Sequence, residues 1–352
     1  MPDGYTASKI EGETTVNGGF VIYECNKKDI DWNSIKNEDL AEETSSTSSK
    51  EKELLQLQSS YNQYVWIPVN EEQINSIYGV DSNGKIWGKL YSYSQDGRTP
   101  LDWKYINGKV DVKVFTNYFE PGLGYGANTN IVSEMTLQLT LNKNREELLR
   151  ELEQNYYEMI KSIKKYGGFY IGRYESGLVD NEVTVRRLNE NLSEQSWTNM
   201  YQKTKKLKGK NENIITSMIW SSLWDYTIQW FIDTGAKTYE DISKSDSWGN
   251  YRDSSFEYYT DVEGNISLKE PGINNSKLIP AGSSEYSKAN NIYDMAGNVN
   301  ELTLGCYSYY FSYRGGYYDS SSDSEKSCSY RSYQEIDAKL PRTGSRAILL
   351  LK

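Results

Sequence analysis

The segment at residues 144–175 constrains the fold most, because a long amphipathic helix pattern runs directly into a strand pattern there. Seven apolar side chains recur at three- and four-residue steps: Leu148, Leu149, Leu152, Tyr156, Met159, Ile160 and Ile163. This spacing predicts a helix over residues 144–166 with one buried face. Gly167 and Gly168 signal its end, and the apolar run at 169–175 predicts a strand. The chain therefore combines helix and strand.

Shorter patterns predict the remaining elements and an α+β fold. Strands are expected within residues 15–25 and 64–69, and helices over about 51–57, 198–207 and 221–234. Beyond residue 235 no long helical period recurs, so short strands and loops are expected. Residues 27–60 are rich in Ser, Thr and Glu, which is typical of a solvated loop, and 78–130 predict loops and small hairpins. We expect an N-terminal elaboration over 1–143 and a core over 144–352.

Composition excludes several function classes. The 352 residues include no His, which excludes a Ser-His-Asp triad, a Cys-His pair, His-ligated zinc and a His proton shuttle. The net charge of −10 argues against a nucleic-acid partner and an anionic membrane surface. No run of eighteen apolar residues exists to span a bilayer, and residues 1–4 show no signal-peptide pattern. Cys25, Cys306 and Cys328 do not form a disulfide framework, although one bridge with one odd thiol remains open.

Six short segments occur in a recognisable order. They are residues 63–68, 168–175, 218–226, 291–301, 313–317 and 344–348. This set resembles the formylglycine-generating-enzyme/sulfatase-modifying superfamily over about residues 60–70 and 165–352. The most specific part is the Tyr-Asp-Met-Ala-Gly-Asn-Val run at 293–299 followed by Arg-Gly-Gly at 314–316. The resemblance implies a C-type-lectin-like fold with small twisted sheets, two or three helices and long loops.

Three residues in these segments have a structural interpretation that takes precedence over a catalytic one. Trp224 lies in an amphipathic helix pattern and is expected to anchor the core. Arg314 and the glycines after it are expected to form a strand with a close backbone approach. Arg346 is expected to donate hydrogen bonds to loop carbonyls.

The resemblance also implies a calcium site in the 294–301 loop. Carried over to this sequence, Asp294 and Glu301 would ligate by side chain, and Gly297 and Val299 by backbone carbonyl. Oxygen ligands suit a hard cation, and a glycine-containing loop can turn carbonyls inward. The alternative is that Glu301 braces the loop without a metal. We therefore expect calcium as a structural cofactor, and a metal-free loop is the alternative.

The chain departs from the enzyme family at its reactive centre. Asn300 and Leu302 stand where the enzymes usually carry two tryptophans. The enzymes also carry a close pair of copper-binding cysteines after Arg-Gly-Gly, whereas here Cys328 has no nearby second thiol and Cys306 lies 22 residues upstream. Without two thiolates a Cu(I) site lacks its soft ligands. We therefore expect no copper and no oxidase activity, with a degenerate oxidase as one rival interpretation.

Two residue types dominate the region that replaces this centre. Residues 301–333 contain eight Tyr and nine Ser, or 17 of 33 positions. Tyr supplies rigid amphipathic contact area at low entropy cost, and Ser supplies adaptable hydrogen bonds, as in antibody paratopes. The alternative is a general Tyr/Ser bias, since Tyr is also frequent elsewhere. We interpret the window, within a region of 300–335, as a ligand-binding surface.

Many residues of this window could arise from Asn codons in which the adenines have been randomised. This pattern resembles the variable proteins of diversity-generating retroelements. These proteins use the same lectin-like scaffold and diversify its C-terminal region. The predicted ligand-binding residues are Asn300, Leu302, Tyr307, Tyr309, Tyr310, Tyr317, Tyr318, Asp319, Ser320, Ser322, Tyr330 and Tyr333. The expected function is recognition of an extracellular protein or glycan, displayed on a cell surface or phage virion. A calcium-dependent glycan lectin is the second rival.

Overall fold

The computed structural model describes residues 1–35, 48–69, 78–80, 86–88, 92–93, 100–101, 121–123, 131–308, 310–321 and 327–352. Within these ranges the fold is α+β, with small, mostly antiparallel sheets and few helices, as the sequence predicts. None of the helices in the described ranges is long and apolar enough to cross a membrane.

The helices confirm four predictions and add three that the sequence pattern did not reveal. They are α1 Trp32–Ile35, α2 Ser49–Ser60, α3 Ile131–Leu141, α4 Arg145–Tyr166, α5 Trp197–Thr204, α6 Ser221–Asp233 and α7 Tyr239–Ser243. Helix α4 begins with a capping box between Asn144 and Glu147 and ends at Gly167 in the left-handed conformation, with φ of 76°. Helix α3 was not predicted, because its apolar residues from Met135 to Leu141 alternate as in a strand.

Twenty-one strands occur within the described ranges. They are β1 Thr6–Ala7, β2 Phe20–Tyr23, β3 Gln63–Pro68, β4 Tyr78–Val80, β5 Ile86–Gly88, β6 Ser92–Tyr93, β7 Pro100–Leu101, β8 Pro121–Leu123, β9 Gly168–Gly172, β10 Gly177–Val179, β11 Glu182–Thr184, β12 Ile214–Met218, β13 Phe256–Tyr259, β14 Ile266–Lys269, β15 Lys288–Ala289, β16 Ile292–Tyr293, β17 Asn300–Ser308, β18 Tyr310–Arg314, β19 Arg331–Glu335, β20 Thr343–Ser345 and β21 Ala347–Leu351. The pairs β4–β5 and β6–β7 are antiparallel, and most of the predicted loop region 78–130 lies outside the described residues.

The larger sheet has six antiparallel strands in the order β1-β2-β3-β9-β21-β12. Strands from residues 1–143 thus share one sheet with strands from the predicted core. Gly168 is required where β3 and β9 meet, because a Cβ atom there would lie 2.3 Å from the Ile67 carbonyl oxygen and 2.5 Å from the Trp66 ring. Helix α4 packs its apolar face on β9 and β21, so the main core lies beneath this helix.

The smaller sheet positions the predicted ligand-binding region. Its order is β19-β18-β17-β20, and β8 also pairs with β17. Strand β17 pairs antiparallel with β18 but parallel with β20 and β8, and its pairing with β18 shifts register between Leu302 and Cys306. Helix α6 packs against β17 and β18 and is buried along most of its length. The sheet therefore holds the Tyr- and Ser-rich window against the helix that carries Trp224.

Candidate ligand-binding surface

Strand register brings two predicted tyrosines onto the same face of the β18–β19 pair. Tyr310 on β18 lies opposite Glu335 on β19, and Ser312 lies opposite Tyr333. Because residues two apart share a face of a strand, the rings of Tyr310 and Tyr333 are diagonal neighbours. Tyr310 is 40% exposed and Tyr333 is 37% exposed. The edge of this sheet therefore presents aromatic area to solvent.

A turn after Arg-Gly-Gly adds a second group of predicted residues. The Ser320 N–H and hydroxyl both donate to the Tyr317 carbonyl, at 3.0 and 2.7 Å, and the Tyr318 N–H donates to the Asn298 carbonyl at 3.0 Å. Asp319 at the tip is exposed, while Tyr317 and Tyr318 are half-buried with their rings edge to face. The turn is thus closed by its own backbone and tied to the 294–301 loop.

Three predicted ligand residues are buried, which corrects their assignment to an accessible surface. Asn300 and Leu302 are buried on β17, a central strand that pairs with β18 on one edge and β20 on the other. Ser320 turns inward to bond the Tyr317 carbonyl. The sequence pattern did not show that β17 is a central strand. Tyr309, Ser322 and the Tyr307 side chain lie outside the described part of the structure.

The accessible predicted residues are Tyr310, Tyr317, Tyr318, Asp319, Tyr330 and Tyr333, which together we call the tyrosine surface. Tyr330 is half-buried, with its ring centroid 6.2 Å from that of Tyr313. The Arg342 guanidinium lies 4.8 Å from the Tyr317 ring centroid, within range of a cation–π contact. The sequence analysis did not single out Arg342, which lies beside this surface.

A buried charge cluster anchors the same two strands, β18 and β19, near the end of β18. Asp225 on α6 accepts hydrogen bonds from both Arg314 on β18 and Arg331 on β19, one on each carboxylate oxygen. Arg314 also donates from Nε to the Tyr330 carbonyl at 3.0 Å and from Nη2 to the Ser329 carbonyl at 3.2 Å. Such charge-assisted bonds are directional, so they couple β18, β19 and the returning loop to one helix. The strand predicted for residues 314–316 ends at Arg314, because Gly315 and Gly316 have positive φ values of 91° and 74°.

Three hydroxyls reinforce the same junction. The Ser221 hydroxyl lies 2.8 Å from that of Thr303 and 2.5 Å from that of Ser312, and the latter two are 2.6 Å apart. All three residues are buried. They join the beginning of α6 to β17 and β18, where the helix has no side-chain cap. The sequence does not reveal this hydrogen-bonded group, because Ser221 lies more than eighty positions from Thr303 and Ser312.

A second buried ion pair supports the 294–301 loop. Both carboxylate oxygens of Glu301 accept hydrogen bonds from Arg346, with Nε 3.1 and 3.0 Å away and Nη2 2.6 Å from Oε1. Arg346 also donates to the carbonyls of Gly172 and Tyr293, at 3.0 and 2.8 Å. The predicted role of Arg346 toward loop carbonyls is confirmed, and Glu301 braces the loop.

The contacts around the implied calcium ligands do not fit a calcium cage. The Asp294 carboxylate accepts from the Ser287 hydroxyl at 2.5 Å and the Gly282 N–H at 2.6 Å, and the Glu301 carboxylate is occupied by Arg346. A cation at Gly297 and Val299 would have to displace these donors, including a buried guanidinium. No group of three or more His, Cys, Asp or Glu among the described residues has the geometry to hold a metal. The arrangement instead matches the metal-free alternative.

Three buried carboxyl groups lie around this single arginine. Glu175 accepts from the Val299 N–H at 3.1 Å and from the Asn298 amide at 2.6 Å. Burial, followed by the charges of Asp294 and Glu301, raises its pKa well above the usual value. Burial also raises the pKa of Asp294, and that of Glu301 rises to about 7 although Arg346 opposes the shift. Each of these three carboxyls therefore keeps its proton to a higher pH than an ordinary carboxyl does, and Glu301 is ionised beside Arg346 above about pH 7.

We expect the melting temperature to fall as the pH rises from about 5 to about 8. A carboxyl with a higher pKa in the folded than in the unfolded chain binds more protons when folded. Its stabilisation is complete below the ordinary pKa of 4.5 and is lost as the pH passes about 7 for Glu301. Circular dichroism melts across this range measure the effect, and Glu175→Gln should reduce the slope. A melting temperature that stays constant or rises with pH would contradict this account.

The cysteines described are buried free thiols. Cys25 and Cys328 are both buried and unbridged. Burial raises the pKa of the Cys328 thiol above its usual range, which disfavours the nucleophilic, metal-binding thiolate. The Cys328 backbone has a structural role, since its carbonyl accepts from the Trp224 indole at 3.2 Å. The Cys306 side chain lies outside the described part of the structure.

Comparisons with known proteins give limited similarity. No protein-family model matches the sequence, and no curated protein matches it. Among solved structures, the crystal structure of CarF is similar with a TM-score of 0.35 and 12% identity, over 53% of this chain and 87% of that chain. Variable protein 1 of Treponema denticola is similar with a TM-score of 0.26 and 10% identity, over 84% of this chain and 97% of that chain. At these values neither similarity establishes fold or function, so the local geometry carries the functional conclusions.

Proposed function

We propose that this protein is a ligand-binding display protein with a C-type-lectin-like scaffold, and that the tyrosine surface recognises an extracellular protein or glycan. The observation that carries the proposal is a contrast along the same strands. The ion pairs of Arg314 and Arg346 are fully buried, and Arg331 is 10% exposed. Further along β18 and β19, and in the turn after β18, tyrosine side chains are accessible. A rigid frame that holds adaptable side chains is the arrangement that recognition surfaces use.

Exposed aromatic area supports recognition over a purely structural role. Large apolar side chains that cluster on a surface cost free energy unless a partner covers them. Tyr is enriched at such sites because its ring is apolar while its hydroxyl can bond a ligand. Tyr310 and Tyr333 on the strands, with Asp319 at the turn, offer both kinds of contact.

A binding role is proposed in place of oxidase chemistry. The oxidase would need an accessible pair of thiolates beside the Arg-Gly-Gly strand. Cys328 is buried against Trp224 and Ser245, and its raised pKa keeps the thiol protonated. This environment supports a non-enzymatic protein.

The first test replaces exposed residues of the tyrosine surface and measures folding and binding separately. We expect Tyr310→Ser and Tyr333→Ser, made together with Asp319→Ser, to change the melting temperature by less than about 5 °C, since each exposed site contributes within about 0.5 kcal/mol. Binding on a printed glycan array and to a panel of immobilised surface proteins should fall at least tenfold for every ligand that the unaltered protein captures.

A matched control separates recognition from general loss of aromatic area. Tyr157 on α4 is exposed to a similar extent but lies outside the tyrosine surface, so Tyr157→Ser should bind like the unaltered protein. If the triple variant unfolds, the tyrosines are part of the core. If it folds and retains full binding, the ligand site lies elsewhere.

The diversification part of the proposal has its own test in the surrounding DNA. A near-copy of the codons for residues 300–333 that differs at adenines, beside a reverse-transcriptase gene, would support it. A library randomised at Tyr310, Tyr318, Asp319 and Tyr333 should fold in most members. A library at Leu302, Phe311 and Arg314 should not, because those side chains are buried. Equal folding of both libraries would contradict a frame-and-display design.

A further inference from the structure

The β13–β14 hairpin lies outside the tyrosine surface. One of its faces is buried, and the other is exposed and carries aliphatic side chains. Strands β13 and β14 pair antiparallel, from Phe256 opposite Lys269 to Tyr259 opposite Ile266. The inner face is buried: Phe256 stacks on Tyr286 with ring centroids 4.7 Å apart, and Phe256, Tyr258 and Ile279 form a small core. The hairpin is therefore anchored to the domain by this face.

The outer face of β14 exposes two aliphatic side chains side by side. Ile266 is 51% exposed and Leu268 is 53% exposed, and they share a face because they are two residues apart. Ile273, just beyond the strand, is 69% exposed. A single exposed aliphatic residue is ordinary, but two adjacent ones on one strand form an apolar strip that favours a partner.

The two outer edges of the hairpin also differ in their backbone hydrogen bonds. On β13, the Tyr259 N–H donates outward to the Ser283 carbonyl at 2.8 Å, and the Glu257 carbonyl accepts from the Ser284 hydroxyl at 2.6 Å. Tyr259 and Glu257 therefore occupy non-hydrogen-bonded positions of the hairpin. Their partners Ile266 and Leu268 must then also direct their N–H and C=O groups outward, away from β13.

No residue in the described part of the chain accepts or donates a backbone hydrogen bond at that outer edge of Ile266 and Leu268. Natural proteins usually protect such an edge with Lys, Pro or a bulge. Here the edge carries aliphatic side chains, and the lysine of the strand, Lys269, is turned inward to the Ser254 carbonyl at 2.8 Å. A groove of about 380 Å³ runs beside it, lined by Leu268, Glu270, Asn274, Asn275, Ser276 and Lys277.

The charge around the edge is acidic. Glu257, Glu263 and Glu270 are exposed around the hairpin, with Asp261 at its turn. The nearest cations are engaged: Lys269 is buried, and the Lys277 ammonium lies 4.8 Å from the Tyr258 ring centroid. An added strand with basic side chains would meet opposite charge here, whereas an acidic strand would be repelled.

We propose that the outer edge of β14 is a docking site for an extended segment of a partner protein, in which aliphatic residues alternate with other residues and basic residues flank them. The segment would add a third strand to the hairpin, with main-chain hydrogen bonds to Ile266 and Leu268 and aliphatic contacts to their side chains. Glu263 in the turn and Glu270 just after β14, at the two ends of this edge, would face its basic residues. A second copy of this chain is the less suitable occupant, because pairing β14 with itself would bring the acidic rims together.

The proposal is tested with the fluorescein-labelled peptide Lys-Thr-Val-Thr-Val-Thr-Lys, titrated against the full chain and followed by fluorescence anisotropy. One face of this peptide presents two valines between two lysines. We expect saturable binding, and at least tenfold weaker binding of the peptide in which both lysines are glutamates. N-methylation of both valines should also abolish binding, because it removes the donors that strand addition needs. Hydrogen exchange at the Ile266 and Leu268 amides should slow when the peptide is bound.

Variants of the chain connect the binding to this edge. Ile266→Thr with Leu268→Thr places polar but strand-compatible β-branched side chains at both positions, and should weaken binding at least tenfold without lowering the melting temperature. Val179→Thr, at another exposed aliphatic position on β10, should bind as the unaltered protein does. The proposal is overturned by absence of binding at millimolar peptide, by equal binding of the glutamate or N-methylated peptides, or by no effect of the double variant. A dimer that the double variant dissociates would instead assign the edge to self-association.

Discussion

Replacing Arg346 with methionine is expected to lower the free energy of unfolding by about 3–5 kcal/mol, the cost of breaking a buried ion pair from one side. The substitution leaves the Glu301 charge buried without its partner, and the carbonyls of Gly172 and Tyr293 without their donor. Since domains are stable by only about 5–15 kcal/mol, much of the total stability would be lost. Urea unfolding followed by tryptophan fluorescence measures the change.

Two further variants make this expectation specific. Arg342→Met removes an exposed arginine four residues away and should cost less than about 1 kcal/mol, as surface charges do. Combining Arg346→Met with Glu301→Gln should recover part of the loss, because no ionised group then remains buried without a counter-charge. A loss below about 1 kcal/mol in Arg346→Met would show that the Glu301–Arg346 pair does not brace the loop.

Replacing Trp224 with alanine is expected to cost about 3–5 kcal/mol, as for other fully buried aromatic residues. The indole is completely buried, and its Nε1 donates to the Cys328 carbonyl at 3.2 Å. Its ring also packs closely on Gly315, since a Cβ atom added to that glycine would lie 3.2 Å from the ring. The substitution would therefore leave a cavity and an unsatisfied carbonyl under the Arg-Gly-Gly strand. Differential scanning calorimetry should show a large fall in the melting temperature.

The hydrogen bond and the volume of Trp224 can be separated. Trp224→Phe keeps most of the ring but loses the Nε1 donor, so we expect a smaller loss of about 1–3 kcal/mol. Tyr333→Ala removes an exposed ring of the same sheet and should be nearly neutral for stability. If Trp224→Ala melts within a few degrees of the unaltered protein, Trp224 is not the anchor of this junction.

Several elements were predictable because their causes are local. Helix α4 is determined within 24 consecutive residues, 144–167. These include its apolar spacing, its Asn144 cap and its end at Gly167. Strand β9 after it and helix α6 were predicted for the same reason. The Tyr- and Ser-rich composition of 301–333 is also a property of the sequence alone, and it indicated where to look for accessible rings.

The tertiary structure decided which side chains of that window are accessible and what holds them. Strand β17 acquires neighbours from residues 121–123, 310–314 and 343–345, so Asn300 and Leu302 are buried although their composition suggested a surface. Asp225 meets Arg314 from 89 positions away, and Glu301 meets Arg346 from 45. The spacing of apolar residues determines where helices and strands form. Burial and ion pairing depend on contacts between residues that are far apart in the sequence, and no periodic pattern in the sequence predicts those contacts.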